Sequence, residues 1–184
     1  MSDLYIMRHQ YSIDGLNDLI DYIDLHRPVS GMHMIEIGSY AGESTEIFCS
    51  RFKQVISIDP YLDNYDPGDL ACQHAPFSEV LKYFQERMEN FPNIGLIRAT
   101  SDDAIEHDLI LNKNVDFVYI DGLHTYEQVK KDIQNYLPLI KKGGFIAGHD
   151  YHNEWQGVID AVNEHFGSPD KVFNDTSWIK RVNS

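Results

Sequence analysis

A doubly wound α/β sheet is the fold this sequence predicts, and three observations predict it. Short runs rich in Val, Ile, Phe and Met recur along the chain. Each is nearly continuous in apolar residues, as strands buried on both faces of a parallel sheet are. Between the runs lie longer segments of helical period, and strand–helix alternation is the signature of βαβ units.

The elements follow in chain order. Ile13, Leu16, Leu19, Ile20 and Ile23 share one face, so Ile13–Leu25 is expected as an amphipathic helix within an N-terminal cap, residues 1–30. The expected strands are His33–Gly38, Gln54–Asp59, Asn93–Arg98, Val115–Asp121 and Gly144–His149. The expected helices between them are Glu43–Arg51, Phe77–Asn90, Asp102–Leu111 and Tyr126–Ile140. In the last, Tyr126, Val129, Ile133, Leu137 and Ile140 form one stripe. The span 60–76 has no clear period and carries Pro, Gly, Asp and Asn, so it is expected as a long loop, either a lid or a plain surface loop, flanked by Tyr61, Tyr65, His74 and Phe77. Lys171–Asn174 and Ser177–Arg181 flank the turn-like Asn174-Asp175-Thr176, which predicts a terminal hairpin.

Composition narrows the function classes. The 184 residues suit one domain, taken here as 1–184. Fifteen Lys and Arg against twenty-nine Asp and Glu leave a net charge of −14. Phosphate backbones and anionic membrane surfaces both need a cationic face, so neither nucleic acid nor membrane is an expected partner. Two cysteines, Cys49 and Cys72, make no disulfide framework and lack zinc-site spacing. No apolar run has signal-peptide or membrane-span length. The expectation is a cytoplasmic soluble protein. Lys130, Lys131, Lys141 and Lys142 read as a solvated face, and Phe52, Phe91, Phe117, Phe145 and Phe166 as core.

The first chemical signal is Ile35-Glu36-Ile37-Gly38-Ser39-Tyr40-Ala41-Gly42-Glu43-Ser44, a strand running through a glycine-bracketed loop into a helix. Glycine lets backbone approach a ligand, and the helix N-terminus offers free N–H groups. The spacing is G-x-x-x-G, not the G-x-G-x-x-G of dinucleotide folds. Asp59 ends the second strand about twenty residues on, where an acid can accept from both ribose hydroxyls. Together these point to a ribose-bearing cofactor.

The second signal lies at two strand ends. Val115–Asp121 runs into Asp121-Gly122-Leu123-His124, and Gly144–His149 into His149-Asp150. Asp121 and Asp150 are hard oxygen donors suited to Mg²⁺, and His149 adds a nitrogen that shifts preference towards Mn²⁺ or Fe²⁺. His124, with an ordinary pKa near 6.5, suits general-base work on a hydroxyl. The bland alternatives are that Asp121 caps the next helix and that a lone His at a strand end is structural. His152 and Trp155 follow closely enough to line an acceptor pocket.

Glu36-Ile37-Gly38 with Gly42, and Asp59 after Val55-Ile56-Ser57-Ile58, resemble the cofactor motifs of class I S-adenosylmethionine-dependent methyltransferases over about Met34 to Arg181. The resemblance implies a Rossmann-like fold, a mostly parallel seven-stranded sheet with a C-terminal antiparallel hairpin. It implies that Glu36, Gly38, Ser39, Tyr40, Gly42 and Ser44 surround the methionine part, that Asp59 and Pro60 meet the ribose, and that Thr100-Ser101-Asp102 lies near the adenine. Tyr119 to Tyr126, followed by Gly143 to Asp150, is similar to the narrower macrolide sugar O-methyltransferase and cephalosporin hydroxylase-type branch. That likeness implies Asp121 and Asp150 as metal ligands and His124 as catalytic base. His149 stands where the branch often has an acid.

The expected function is therefore methyl transfer from S-adenosylmethionine to a hydroxyl of a small molecule, such as a sugar. A divalent metal, Mg²⁺ or Mn²⁺, is expected at Asp121, His149 and Asp150, with catalysis by His124 and Asp121 and further cofactor contact at Asp121. The family's habit of forming dimers or larger assemblies extends to this chain as an expectation. The competing readings are an NAD(P)-dependent oxidoreductase, which the missing G-x-G-x-x-G disfavours, and a non-catalytic module that binds S-adenosylmethionine.

Overall fold

The computed structural model describes residues 10–66, 68, 75–111 and 114–183. Among them are seven strands and six α-helices. Strands β1 (His33–Ile37), β2 (Gln54–Ile58), β3 (Ile94–Ile97), β4 (Val115–Ile120) and β5 (Ile140–Gly148) are mutually parallel. Strands β6 (Lys171–Val172) and β7 (Trp178–Arg181) form the terminal hairpin, and β7 pairs antiparallel with β5. The sheet order is β3-β2-β1-β4-β5-β7-β6. The order reverses between β1 and β4, which is where an open α/β sheet leaves a crevice at its carboxyl edge.

Side-chain alternation divides the core into two layers. Met34, Val55, Phe117, Tyr119 and Phe145 face one side, packed under α1 (Gln10–Asp24), α2 (Glu43–Arg51) and α3 (Phe77–Met88). Ile35, Ile37, Ile56, Val118, Ile120 and Ile146 face the other. That side is covered by α4 (Ser101–Ala104), α5 (Tyr126–Tyr136) and α6 (Gln156–Phe166). The predicted α2 bounds are those observed, and the hairpin falls where expected. Of the expected core phenylalanines, Phe52, Phe117 and Phe145 are buried, while Phe91 and Phe166 pack partly buried at the margins.

Five features differ from the sequence reading. Helix α5, expected to run to Ile140, ends at Tyr136, and a 3₁₀ turn at Leu137–Leu139 leads into β5. The helix expected over Asp102–Leu111 stops at Ala104, because turns centred on His107 take over: its carbonyl accepts from the amides of Ile110 and Leu111. Strand β5 begins at Ile140, not Gly144. It carries a register shift between Val115 and Phe117 of β4, and Gly144 sits so close that a Cβ there would lie 2.5 Å from the Asp116 carbonyl. Helix α6 was not among the expected elements; it buries Val158, Ala161 and Val162, with Phe166 packed beside them. Lys141 is not merely solvated: it and Arg27 clamp the fully buried Asp116 carboxylate at 3.0 and 2.5 Å. Lys130 and Lys131 likewise pair with Glu164 and Asp102.

Of the expected lid span 60–76, residues 67 and 69–74, including Cys72 and His74, lie outside the described residues. Among the described residues, no helix is long and apolar enough to cross a membrane.

Candidate active site

The glycine loop is built from the inside out. Glu36 is fully buried in β1 and accepts hydrogen bonds from the hydroxyls of Ser44 and Thr45, both at 2.6 Å. Those bonds tie the first turn of α2 to the sheet. Gly38 has φ +86 and donates its amide to the Ile58 carbonyl at 2.8 Å. A Cβ on Gly38 would lie 2.0 Å from the Asp121 carbonyl oxygen. No other residue type fits between the β1 loop and the end of β4, so the two predicted constellations touch at this point. Gly42, φ +83, then leads into α2.

Asp59 holds the loop open. Its Oδ2 accepts the amides of Ser39 and Tyr40 at 3.1 and 2.9 Å, and its Oδ1 accepts that of Tyr61 at 2.9 Å. Burial pushes its pKa up, and the three amides oppose that shift. Any ribose contact at Asp59 therefore shares oxygens that already brace the loop. Pro60 carries the chain from Asp59 to Tyr61. The Tyr61 side chain is buried and folds back over the loop. Its hydroxyl donates to the Tyr40 carbonyl at 3.0 Å and lies 3.1 Å from Ser39 Oγ. Tyr61 and Phe77, both weighed as lid residues, are core instead.

The second constellation assembles at the ends of β4 and β5, which are neighbours in register, Ile120 opposite Gly148. His124 Nε2 lies 2.8 Å from Asp150 Oδ2 and 3.9 Å from Asp121 Oδ1. His149 Nδ1 lies 3.2 Å from Asp150 Oδ1 and 3.9 Å from the same Asp121 oxygen. The two carboxylates are thus flanked by two imidazoles. Asp121, His124 and Asp150 offer ligand atoms all within 4.8 Å of one another, so the group that could hold a divalent cation contains His124 where the sequence led us to expect His149. Asp121 is not the cap of α5; Thr125 fills that role by accepting from the Gln128 amide. Asp150 sits at φ +61, a left-handed conformation costly for a non-glycine residue.

The electrostatics follow from the crowding of charge. Burial alone would pull the His124 pKa down, but the carboxylates of Asp121 and Asp150 outweigh it and push it up to about 11. Burial likewise opposes ionisation of Asp150, and the His124 and His149 imidazoles overcome it and hold its carboxyl well below the ordinary range. Trp155 packs against His124 with ring centroids 4.4 Å apart, and His152 Nε2 lies 3.4 Å from Asp150 Oδ1.

At the end of β3, Ser101 Oγ donates to Asp132 Oδ1 at 2.6 Å, and Gln128 Nε2 reaches the same oxygen at 3.0 Å. Asp102 pairs with Lys131 at 2.6 Å. Three carboxylates that the sequence reading did not single out therefore belong to the site's surroundings. Asp66 lies 3.2 Å from His124 Nδ1, Asp132 sits behind Ser101, and Asp175 lies 3.8 Å from His149 Nε2. The nearest sequence signal was the turn-like Asn174-Asp175-Thr176, which marks a bend and not a partner.

Residues 35–151 match a family model described as a methyltransferase domain. The uncharacterized protein R132 of Acanthamoeba polyphaga mimivirus is 30% identical over 135 residues, which is 71% of this chain and 57% of that relative. The uncharacterized protein y4gI of Sinorhizobium fredii is 25% identical over 126 residues, 64% of this chain and 13% of its own length. The chain thus spans little more than half of the first relative and a small part of the second. Among solved structures, the apo form of CalS11, a TDP-rhamnose 3'-O-methyltransferase of calicheamicin biosynthesis, superposes with a TM-score of 0.64 at 18% identity, over 97% of this chain and 82% of that one. Cofactor-bound Rv0187 from MTB gives 0.63 at 15% identity, over 100% and 84%. The N-methyltransferase NodS of Bradyrhizobium japonicum gives 0.64 at 14%, over 97% and 100%. At these identities the likeness is one of fold.

Proposed function

This chain belongs to the methyltransferase domain family, and on that premise we propose that it transfers the methyl group of S-adenosylmethionine to a hydroxyl oxygen of a small molecule, a sugar or other polyol. The observation that carries the reading is the contact of Gly38 with the Asp121 carbonyl, which sets the cofactor loop against the carboxylate–imidazole cluster. A methyl donor seated on the loop and a hydroxyl seated at the cluster then meet at one switch point.

The residues divide the work. The loop from Gly38 to Gly42 receives the methionine part, with Glu36 and Ser44 holding its shape. Asp59 keeps the Ser39 and Tyr40 amides in place beside the ribose, and Ser101 and Asp102 border the adenine. Asp121 and Asp150 would hold a divalent metal, Mg²⁺ or Mn²⁺, with His149, 3.2 Å from Asp150, as the nitrogen donor when His124 serves the acceptor's proton. Such an ion lowers the pKa of a bound hydroxyl and orients it. Trp155 and His152 wall the acceptor side.

His124 takes the hydroxyl proton at Nε2. The acceptor oxygen attacks the methyl carbon, the carbon–sulfur bond breaks, and S-adenosylhomocysteine leaves neutral. With Asp121 and Asp150 carrying uncompensated charge, the imidazole keeps its own proton. It becomes a base when positive charge offsets those carboxylates. Attack on a methyl is a single displacement, so alignment of the two substrates supplies much of the acceleration.

Calorimetric titration of S-adenosylmethionine, with Mg²⁺ and again with a chelator, tests the cofactor. Micromolar binding in both supports the reading, and absence in both removes it. Transfer of labelled methyl to a panel of small polyols then tests His124. Replacing it with Ala should abolish transfer while cofactor binding survives; unchanged transfer removes it as the base.

A further inference from the structure

His124 stands between two carboxylates, one at each ring nitrogen, and the two contacts are not alike. Nδ1 forms a directed hydrogen bond with Asp66 Oδ2 at 3.2 Å. Nε2 lies 2.8 Å from Asp150 Oδ2 but is not aimed at it. This nitrogen is buried and makes no hydrogen bond among the described residues. Asp66 is itself buried, and its Oδ1 accepts the Gly68 amide at 2.9 Å. The chain leading to it is pinned along its length. Asp59 holds the Tyr61 amide at 2.9 Å, the Leu62 carbonyl accepts the Tyr65 amide at 3.3 Å, and Asp63 accepts the Phe77 amide at 2.8 Å. Trp155 packs on the face of the imidazole, ring centroids 4.4 Å apart. The ring is thus held by its face and by Nδ1, while Nε2 is left for the site.

Resting on the role of His124 proposed above, we infer that Asp66 is the positioning residue of the base: it keeps a proton on Nδ1 and so presents Nε2 to the acceptor. A neutral imidazole carries one proton, and the hydrogen bond made by one nitrogen decides which of the two bears it. Without Asp66, the Asp150 carboxylate would be the stronger neighbour and would draw that proton to Nε2, where it blocks transfer from a hydroxyl. With Asp66 in place, Nδ1–H donates to a carboxylate and Nε2 keeps its lone pair. A buried carboxylate sets the tautomer of a catalytic histidine in the same way elsewhere. A cation held at Asp121, His124 and Asp150 makes the same demand, because a metal-bound nitrogen cannot keep its proton. Asp66 acts through His124 and takes no proton from the acceptor itself. It lies 58 residues before His124, on the segment that begins at Asp59. One stretch of chain therefore braces the cofactor loop and orients the base.

Nuclear magnetic resonance of the full chain with ¹⁵N-labelled histidine carries the test, the His124 signals being identified by their loss in His124→Ala. In the wild type, with and without Mg²⁺, the Nδ1 proton of His124 should appear downfield and exchange slowly with water. Asp66→Ala should abolish that signal. Asp66→Asn, whose amide can also donate to a bare Nδ1, should move the proton towards Nε2. With a polyol that accepts methyl, both variants should lower kcat by about 10–100-fold. KM for S-adenosylmethionine should stay nearly unchanged, a split that a collapsed loop would not give. The wild-type spectrum decides the matter alone if the variants do not fold. A wild type without a slowly exchanging Nδ1 proton, or with one indifferent to Asp66, overturns the inference. A parallel S-adenosylmethionine titration separates the two readings. Cofactor binding without the protected Nδ1 proton sinks only this inference, and the protected proton without cofactor binding sinks only the methyl-transfer reading.

Discussion

Asp132 offers a quantitative test of the packing behind the cofactor crevice. Its side chain is 1% exposed. One oxygen takes the Ser101 hydroxyl and the Gln128 amide, while the other meets no hydrogen-bond donor. Burial pushes the carboxyl from 3.8 up to about 6, against the lowering effect of Ser101 and Gln128. A raised folded-state value means that the folded protein holds this proton more tightly than the unfolded chain. Its stabilising contribution is present in full below the unfolded value and is lost as pH rises through the folded one. Integrated from pH 4.5 to pH 8, a shift of that size amounts to about 2 kcal/mol lost. Asp132→Asn removes the titration and keeps the acceptor facing Ser101. The difference in unfolding free energy, variant minus wild type, should therefore grow by about 2 kcal/mol in the variant's favour between those two pH values. Urea unfolding of both proteins at both values measures it, and costs of the amide that do not depend on pH cancel in the comparison. A difference that stays constant across the range would refute the reasoning.

Gly38→Ala would force a Cβ onto the Asp121 carbonyl at φ +86; strain of about 1–2 kcal/mol and overpacking of about 1–3 kcal/mol should add. Urea unfolding should show that loss, and calorimetry should show S-adenosylmethionine binding abolished. Glu36→Ala would leave the buried Ser44 and Thr45 hydroxyls without their acceptor. At about 1–3 kcal/mol for each orphaned group, the melting temperature should fall by many degrees. For Asp116, burial opposes the charge, but the His33 amide, Lys141 and Arg27 prevail and hold its carboxyl below the ordinary value. A lowered value gives stability that is present above the unfolded pKa and lost as pH falls through the folded one. Asp116→Asn should therefore be less stable at neutral pH, and that deficit should narrow in acid, as read by thermal melts across pH.

Much of this architecture is legible because burial on both faces writes itself into composition. Val115–Ile120 is buried throughout, and an apolar run broken only by the clamped Asp116 needs a sheet covered on two sides. Helix α2 begins at a glycine with positive φ and ends where Phe52 turns extended, both local events. Helix α6 lies outside the expected elements, although Val158, Ala161, Val162 and Phe166 recur at helical spacing on one face. The strand ends carrying Asp121, His124, His149 and Asp150 were visible, since each pair sits at the carboxyl end of an apolar run. Their partners were not. Asp66 and His124 are 58 residues apart, and Ser101 and Asp132 are 31 apart. No period or spacing relates such pairs; only the closed fold joins them. Asp59 was legible as an acid ending the second strand, but its three loop amides were not.

The placement of β7 between β5 and β6 has a consequence for how the protein is made. Residues 178–181 emerge from the ribosome after every other strand, yet they pair with Phe145–Gly148, the stretch that leads into His149. Until they arrive, β5 is a bare edge, open to pairing with another chain. Asp175 reaches His149 with the same late segment. A nascent chain can thus form its glycine loop and its first five strands before the segment that covers the end of β5 is made. A chain cut short before Trp178 would leave β5 with an open edge and should aggregate rather than fold with five strands.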